Sequence, residues 1–226
     1  MNEWRDETGR TLGDYPHPSA AVDVAVLTYC DGELRVLAVE HGHGPLALPG
    51  TFLRERERLA DAARRVLRDK TNLAGIRFHQ IGAFDTPDRD PRGWVISIAH
   101  AAAVPHEDLP PRALLVVVRD GKADQPLAFD HAEMVAAAVA DLRARYAQRV
   151  DPDGLLGDEF TVLELRRLYE VVFGLPLQKD SFRRHVVDAL DSTGRMSSPG
   201  TGRPAELFRR KDGARLPAQA AVLFTG

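Results

Sequence analysis

The chain has 226 residues, 44% of them apolar and 28% charged, a composition that excludes wholesale disorder and allows one large domain or two modest ones. No apolar run approaches the roughly 20 residues that span a bilayer, and a net charge of −3 carries no whole-chain signature of nucleic-acid binding. The single cysteine, Cys30, excludes an internal disulfide, and no Cys/His set has the spacing of a zinc site.

Residues 1–18 are polar, lack the apolar stretch of a signal peptide, and are expected to be a flexible terminus, with a cytoplasmic location as the default. Ala20 to Tyr29 and Leu34 to Glu40 read as two strands joined by a turn at Asp31-Gly32. Cys30 lies in that apolar stretch without a flanking base and is expected to be a buried, inert thiol. Leu59 to Asp69 has helical periodicity, with Leu59, Ala62, Ala63, Val66 and Leu67 on one face. Ile76 to Phe84 reads as strand, and Asp85 to Gly93 is rich in turn formers and reads as a loop. Trp94 to Val104 and Ala113 to Arg119 are further strands. His131 to Val150 is a helical segment with Met134, Val135, Ala138, Leu142 and Tyr146 at core spacing. Residues 19–150 are therefore expected to form an α+β domain.

Asp151-Pro-Asp-Gly154 marks a boundary, and the pattern changes after it. Thr161, with Glu164 three residues on, predicts a capping box at the head of a helix running to Phe173. Gly174 to Leu177 makes a short turn. Asp180 or Ser181 can cap a second helix through Leu190, and Ser192 to Arg210 is a Gly/Pro-rich hairpin. Helix, turn, helix and hairpin in that order predict a winged helix-turn-helix over residues 151–226. From Gln178 to Arg215 nine basic residues face five acidic ones, so this end is locally basic. The apolar tail from Leu216 can pack as a terminal strand.

Gly50 to Leu73 resembles the Nudix box of nucleoside-diphosphate hydrolases, G-x5-E-x7-R-E-U-x-E-E-x-G-U, with U a bulky apolar residue. Glu57 and Arg65 register on its first Glu and its Arg, and Leu67 and Leu73 on apolar positions. The box carboxylates at i, i+3 and i+4 would share magnesium from one helix face. Here those positions hold Val66, Asp69 and Lys70, while Thr51 and Asn72 replace box glycines. Such a set is a poor site for a hard divalent ion, so slow or absent hydrolysis is expected, without a catalytic metal. Lys70 can supply the metal's charge and hold a diphosphate ligand intact, assisted by Arg54 and Arg92. Arg54, Glu57, Lys70 and Arg92 are thus the expected effector-binding residues. Three readings stay open on the box alone: an intact-ligand sensor, an empty remnant, and a functional Nudix hydrolase; with the stretches that follow, the last becomes an ADP-ribose pyrophosphatase with an appended interaction domain.

Three further stretches narrow the resemblance. Phe84-Asp-Thr-Pro-Asp-Arg-Asp-Pro-Arg-Gly-Trp-Val-Ile-Ser97 resembles the loop and strand after the box in ADP-ribose-type Nudix proteins. Leu127-Ala-Phe-Asp-His-Ala-Glu133 resembles the opening of their last helix. Phe160-Thr through Gly202-Arg-Pro-Ala205 and Phe208 resembles the winged helix of the Nudix-related transcriptional regulator (NrtR-type) family. The resemblance covers roughly residues 20–210. It implies a Nudix-fold α/β/α sandwich with a mixed sheet, followed by a winged helix. It further implies a homodimeric bacterial repressor of NAD-metabolism genes, released from a palindromic operator by ADP-ribose or a related NAD metabolite, with no membrane partner.

Within such a winged helix the second helix enters the major groove. Phe182, Val186, Ala189 and Leu190 form its inward face, and Ser181, Arg184, His185 and Asp188 lie opposite. Arg184 is the expected base contact, because its fork can span guanine O6 and N7. Arg183, Gln178 and Lys179 are expected on backbone phosphates, Arg203 at the wing tip, and Thr161 at a helix start that can meet a phosphate.

Overall fold

The structure, a computed structural model, describes residues 4–197 and 204–224. Strand β1 (Ser19–Cys30) turns back into β2 (Glu33–Ala38) through Asp31 and Gly32, both at positive φ. Two successive left-handed residues match the twist of paired strands, which is why Asp-Gly serves here. β3 (Gly50–Phe52) pairs antiparallel with the start of β1. Helix α1 (Leu59–Thr71) follows and stops where Asn72 adopts the left-handed conformation and caps it. β4 (His79–Phe84), β5 (Val95–Ala103), β6 (Leu114–Arg119) and the two-residue β7 (Lys122–Ala123) complete the sheet. The strand order is β4-β5-β1-β2-β6-β7, with β3 beside β1. β1 and β5 run parallel and the other strand pairs antiparallel, so the sheet is mixed.

β1 is buried on both faces, which explains its unbroken apolar run. Val22, Val24 and Val26 pack against Ala62, Ala63, Val66 and Leu67 of α1. Ala25 and Leu27 point the other way, toward Met134, Val135, Ala138 and Leu142 of helix α2 (His131–Tyr146). The result is an α/β/α sandwich. Cys30 is buried and unpaired, and burial pushes its thiol pKa up.

The second module comprises α3 (Val162–Phe173), α4 (Lys179–Val186), β8 (Leu190–Met196) and β9 (Glu206–Arg210). Thr161 and Glu164 form the reciprocal capping box at the start of α3, and Gly174 ends it at positive φ. Phe160 makes an isolated antiparallel bridge to Phe208 of β9, beside the two-stranded wing. This is a winged helix-turn-helix. No helix among the described residues is long and apolar enough to cross a membrane.

Asp151 stands between the modules, fully buried and at positive φ. Its carboxylate accepts hydrogen bonds from Tyr146 Oη (2.6 Å), the Leu155 amide (2.8 Å) and the Leu156 amide (3.1 Å), and pairs with Arg210 of β9. Tyr169 of α3 donates to the carbonyls of Tyr146 (3.1 Å) and Arg149 (2.8 Å). Arg143 of α2 donates to the carbonyl of Val172 (2.7 Å). One apolar cluster runs from β1 and α2 into Leu165, Leu168, Phe182 and Phe208.

Two expectations change. The second helix of the wing module ends at Val186, and Val187–Ala189 is a 3₁₀ turn, because Leu190 opens β8. The tail is a 3₁₀ segment, Ala218–Phe224, instead of a strand, and Phe224 stacks on Phe173 with centroids 4.3 Å apart. Ahead of β1, Asp6 accepts hydrogen bonds from the Thr8 (2.8 Å) and Arg10 (2.9 Å) amides and from Tyr15 Oη.

Candidate effector pocket and nucleic-acid interface

Asp23 is the one acid in the apolar run of β1, and it faces α2. It is 6% exposed. Ser97 Oγ donates to it at 2.5 Å, His131 Nε2 lies 3.4 Å away, and the Arg89 guanidinium lies at 3.9 Å. Burial alone would raise the Asp23 pKa; the hydrogen bonds from His131 and Ser97 and the charge of Arg89 outweigh it and hold the carboxyl below its usual range. His131 Nδ1 accepts the Leu48 amide hydrogen at 2.9 Å, which leaves Nε2 to carry a proton toward Asp23. A Cβ on Gly50 would sit 1.8 Å from Asp23 Oδ1. The Leu-Pro-Gly turn therefore needs glycine because the carboxylate presses on its backbone.

Above this floor lies a cavity of about 240 Å³. Arg89 grips Asp130, the residue that opens α2, through both its Nε (2.7 Å) and an Nη nitrogen. Arg92 grips the buried Asp90 in the same two-pronged manner, at 2.9 and 2.7 Å. Both arginines come from the 85–93 loop. The rings of Phe52 and Phe129 flank the opening, and Lys70 reaches in from the last turn of α1. Partial burial lowers the Lys70 pKa, with Asp23 opposing and Arg92 adding to the effect. Three cations (Lys70, Arg89, Arg92) thus meet two carboxylates (Asp23, Asp90) and two aromatic rings at one cavity. Such a lining suits a ligand with an anionic part and a flat apolar part.

Of the residues expected to bind effector, Lys70 and Arg92 line this cavity, while Arg54 and Glu57 do not. Glu57 is taken up by Arg65, whose Nε and an Nη nitrogen each lie 2.7 Å from a carboxylate oxygen, and by the Arg54 amide at 2.9 Å. Arg65 also reaches Thr51 Oγ1 (3.1 Å) and the Phe52 carbonyl (3.0 Å), so the pair staples the loop before α1 to the helix. The Arg54 side chain is exposed. Asp23, Arg89, Asp90, Phe129 and His131 were not singled out from the sequence. A solitary acid within a strand's apolar run was the available signal for Asp23.

The residues registered on the Nudix box occupy four different surroundings. Val66 is buried in the core between α1 and the sheet, Asp69 pairs with Arg68 at 3.0 Å, Glu57 is held by Arg65, and the fourth position is the Lys70 ammonium. Among the described residues no three His, Cys, Asp or Glu side chains gather as a cation site.

At the other end, α4 buries Phe182 and Val186, while Lys179, Arg183 and Arg184 are exposed. Arg184 and Lys179 make no ion pair among the described residues. The Arg183 guanidinium lies over the Phe208 ring of the wing, 5.9 Å from its centroid. Gln178 caps the helix by accepting the Ser181 amide at 2.5 Å, leaving Ser181 half-buried. His185 turns back on its own helix, with Nδ1 2.7 Å from the Ser181 carbonyl. Thr161 is buried at the head of α3, with its hydroxyl engaged by Glu164. Arg203 lies outside the described residues. Arg195 and Arg209 both pair with Glu159, and Arg210 is internal with Asp151. The local excess of arginine is therefore partly structural.

Residues 154–210 match the NrtR DNA-binding winged helix domain family. The chain is 29% identical over 209 residues to an ADPR-responsive transcriptional repressor from Acinetobacter baylyi, covering 87% of this chain and 83% of the relative. It is similar to Shewanella oneidensis NrtR solved with a 27mer DNA, with 30% identity, a TM-score of 0.70, and coverage of 90% of this chain and 96% of that one. A MutT/nudix family protein from Enterococcus faecalis has the same fold at a TM-score of 0.69 and 23% identity, with 88% and 90% of the two chains covered.

Proposed function

Because this chain belongs to the NrtR family of Nudix-related transcriptional regulators, we propose that it is a cytoplasmic bacterial repressor of NAD-metabolism genes. It binds a palindromic operator as a homodimer and lets go when ADP-ribose or a related NAD metabolite fills the cavity above Asp23. The observation that carries this reading is the pairing, in one chain, of a cation- and aromatic-lined cavity with an exposed basic helix on a winged helix-turn-helix. The match over 96% of a regulator crystallised on DNA supports it.

Lys70 and Arg92 offer charge to a diphosphate, and Lys70 does so where a hydrolase would place metal. The chain is accordingly a binder of the nucleotide and not its hydrolase, with no catalytic metal. At the operator, α4 supplies Arg184 to a base edge and Lys179 and Arg183 to phosphates. The route between the ends is α2, about 24 Å long for its 16 residues. Its first turn is gripped by Arg89 through Asp130, and its last turn carries Tyr146, which bonds Asp151 at the wing junction. A phosphate that competes for Arg89 loosens the head of α2. By linkage, operator and effector then weaken each other by the same factor.

The test is an operator titration with and without ADP-ribose, at two salt concentrations. A palindromic duplex should bind with steep salt dependence, and ADP-ribose should lower that affinity. No complex with any operator fragment refutes the repressor. Turnover of ADP-ribose within seconds, with magnesium or manganese, refutes the binder and favours a pyrophosphatase.

A further inference from the structure

The Arg92 guanidinium lies 5.1 Å from the centroid of the Phe52 ring and 5.2 Å from that of Phe129. A planar cation placed almost equally between two rings occupies the position that a flat π-ligand would take. Phe52 is 40% exposed at the cavity mouth. Phe129 has φ = 55°, a left-handed backbone that bulky side chains avoid and that persists only where the surroundings impose it. His41 and His131 hold its ring from the sides, with centroids at 5.1 and 5.3 Å. Strain of this kind concentrates at ligand clamps.

We infer that Phe52 and Phe129 form a clamp for a purine-type ring, and that Arg92 is its internal occupant in the unliganded chain. The inference deepens the effector reading above and rests on it for the ligand class. Asp90 tethers Arg92 through two hydrogen bonds, so the guanidinium competes from a fixed base and an incoming ring must displace it. Arg92 then has two opposed effects: it excludes the ring and attracts the anionic part of the same ligand. Those effects separate when the ligand is divided.

The experiment measures dissociation constants of adenosine, which has the ring without phosphate, and of ribose 5-phosphate, which has the phosphate without the ring. Ligand-observed NMR on the full chain serves both. Arg92→Ala should bind adenosine about tenfold more tightly, the ratio expected for relief of two cation–π contacts, and ribose 5-phosphate severalfold more weakly. Phe52→Leu, at an exposed position, should weaken adenosine about tenfold and leave ribose 5-phosphate unchanged. Adenosine binding that is undetectable in both the parent chain and Arg92→Ala, or unchanged between them, overturns the clamp. If ADP-ribose fails to shift the melting temperature while adenosine still gains on Arg92→Ala, the effector reading falls and the clamp stands.

Discussion

Replacing Asp151 by alanine tests whether the junction is a buried node or a simple turn. The carboxylate is fully buried and serves Tyr146 Oη, two backbone amides and Arg210. Removing one partner of a buried ion pair costs about 3–5 kcal/mol, and each buried donor left without an acceptor about 1–3 kcal/mol. Two facts hold the sum down. The Arg210 side chain is 23% exposed, and it keeps the carbonyls of Asp151 (2.8 Å) and Gly157 (2.6 Å). A net loss of about 3–5 kcal/mol follows, equivalent to roughly 6–20 °C in Tm for a chain of this size. Urea unfolding followed by circular dichroism at fixed protein concentration measures it. Asp151→Asn, which can still accept from Tyr146 and Leu155, should lose less than half as much. A loss under about 1 kcal/mol for the alanine variant would mean that the network contributes little beyond what water supplies, and the node would have to be abandoned.

Arg184→Ala should weaken operator binding by about 1–3 kcal/mol and relax sequence preference at one position, whereas Lys179→Ala should weaken all duplexes alike and flatten the salt slope, as read by fluorescence anisotropy. Gly50→Ala forces a Cβ to within 1.8 Å of Asp23 Oδ1; a destabilisation of about 1–3 kcal/mol and loss of the ADP-ribose-induced Tm shift are expected in thermal melts. The Arg65 hydrogen bonds lower the Glu57 pKa from 4.5 to about 2. A depressed folded-state pKa stabilises above the unfolded value and stops doing so as pH falls through the folded one. The Tm gap between the parent chain and Glu57→Gln should therefore be full above about pH 4.5 and close toward pH 2; a gap that does not change with pH counts against the pair.

The elements were legible where one period dominates. α1 and α3 followed from apolar spacing and from the Thr161–Glu164 box, and β1 from an unbroken apolar run, because local chemistry and burial agree there. The site was less legible. A box register places Glu57 and Arg65 correctly along the chain, yet it does not say that they satisfy each other and so leave the cavity. Asp23 could be read as a break in a strand but not as the cavity floor, since a strand buried on both faces hides which side its one polar residue takes. The end of α4 and the tail were misread for a tertiary reason. Leu190 is drawn into β8, and Phe224 finds Phe173, neither of which a period reveals.

The apolar cluster that passes from the sheet through α2 into the winged helix has a thermodynamic consequence. Two modules that share one core cannot melt separately, so the chain should unfold in a single cooperative step. Limited proteolysis should then release no stable winged-helix fragment, and a ligand seated above Asp23 should protect the distant wing from digestion as much as the loops beside it.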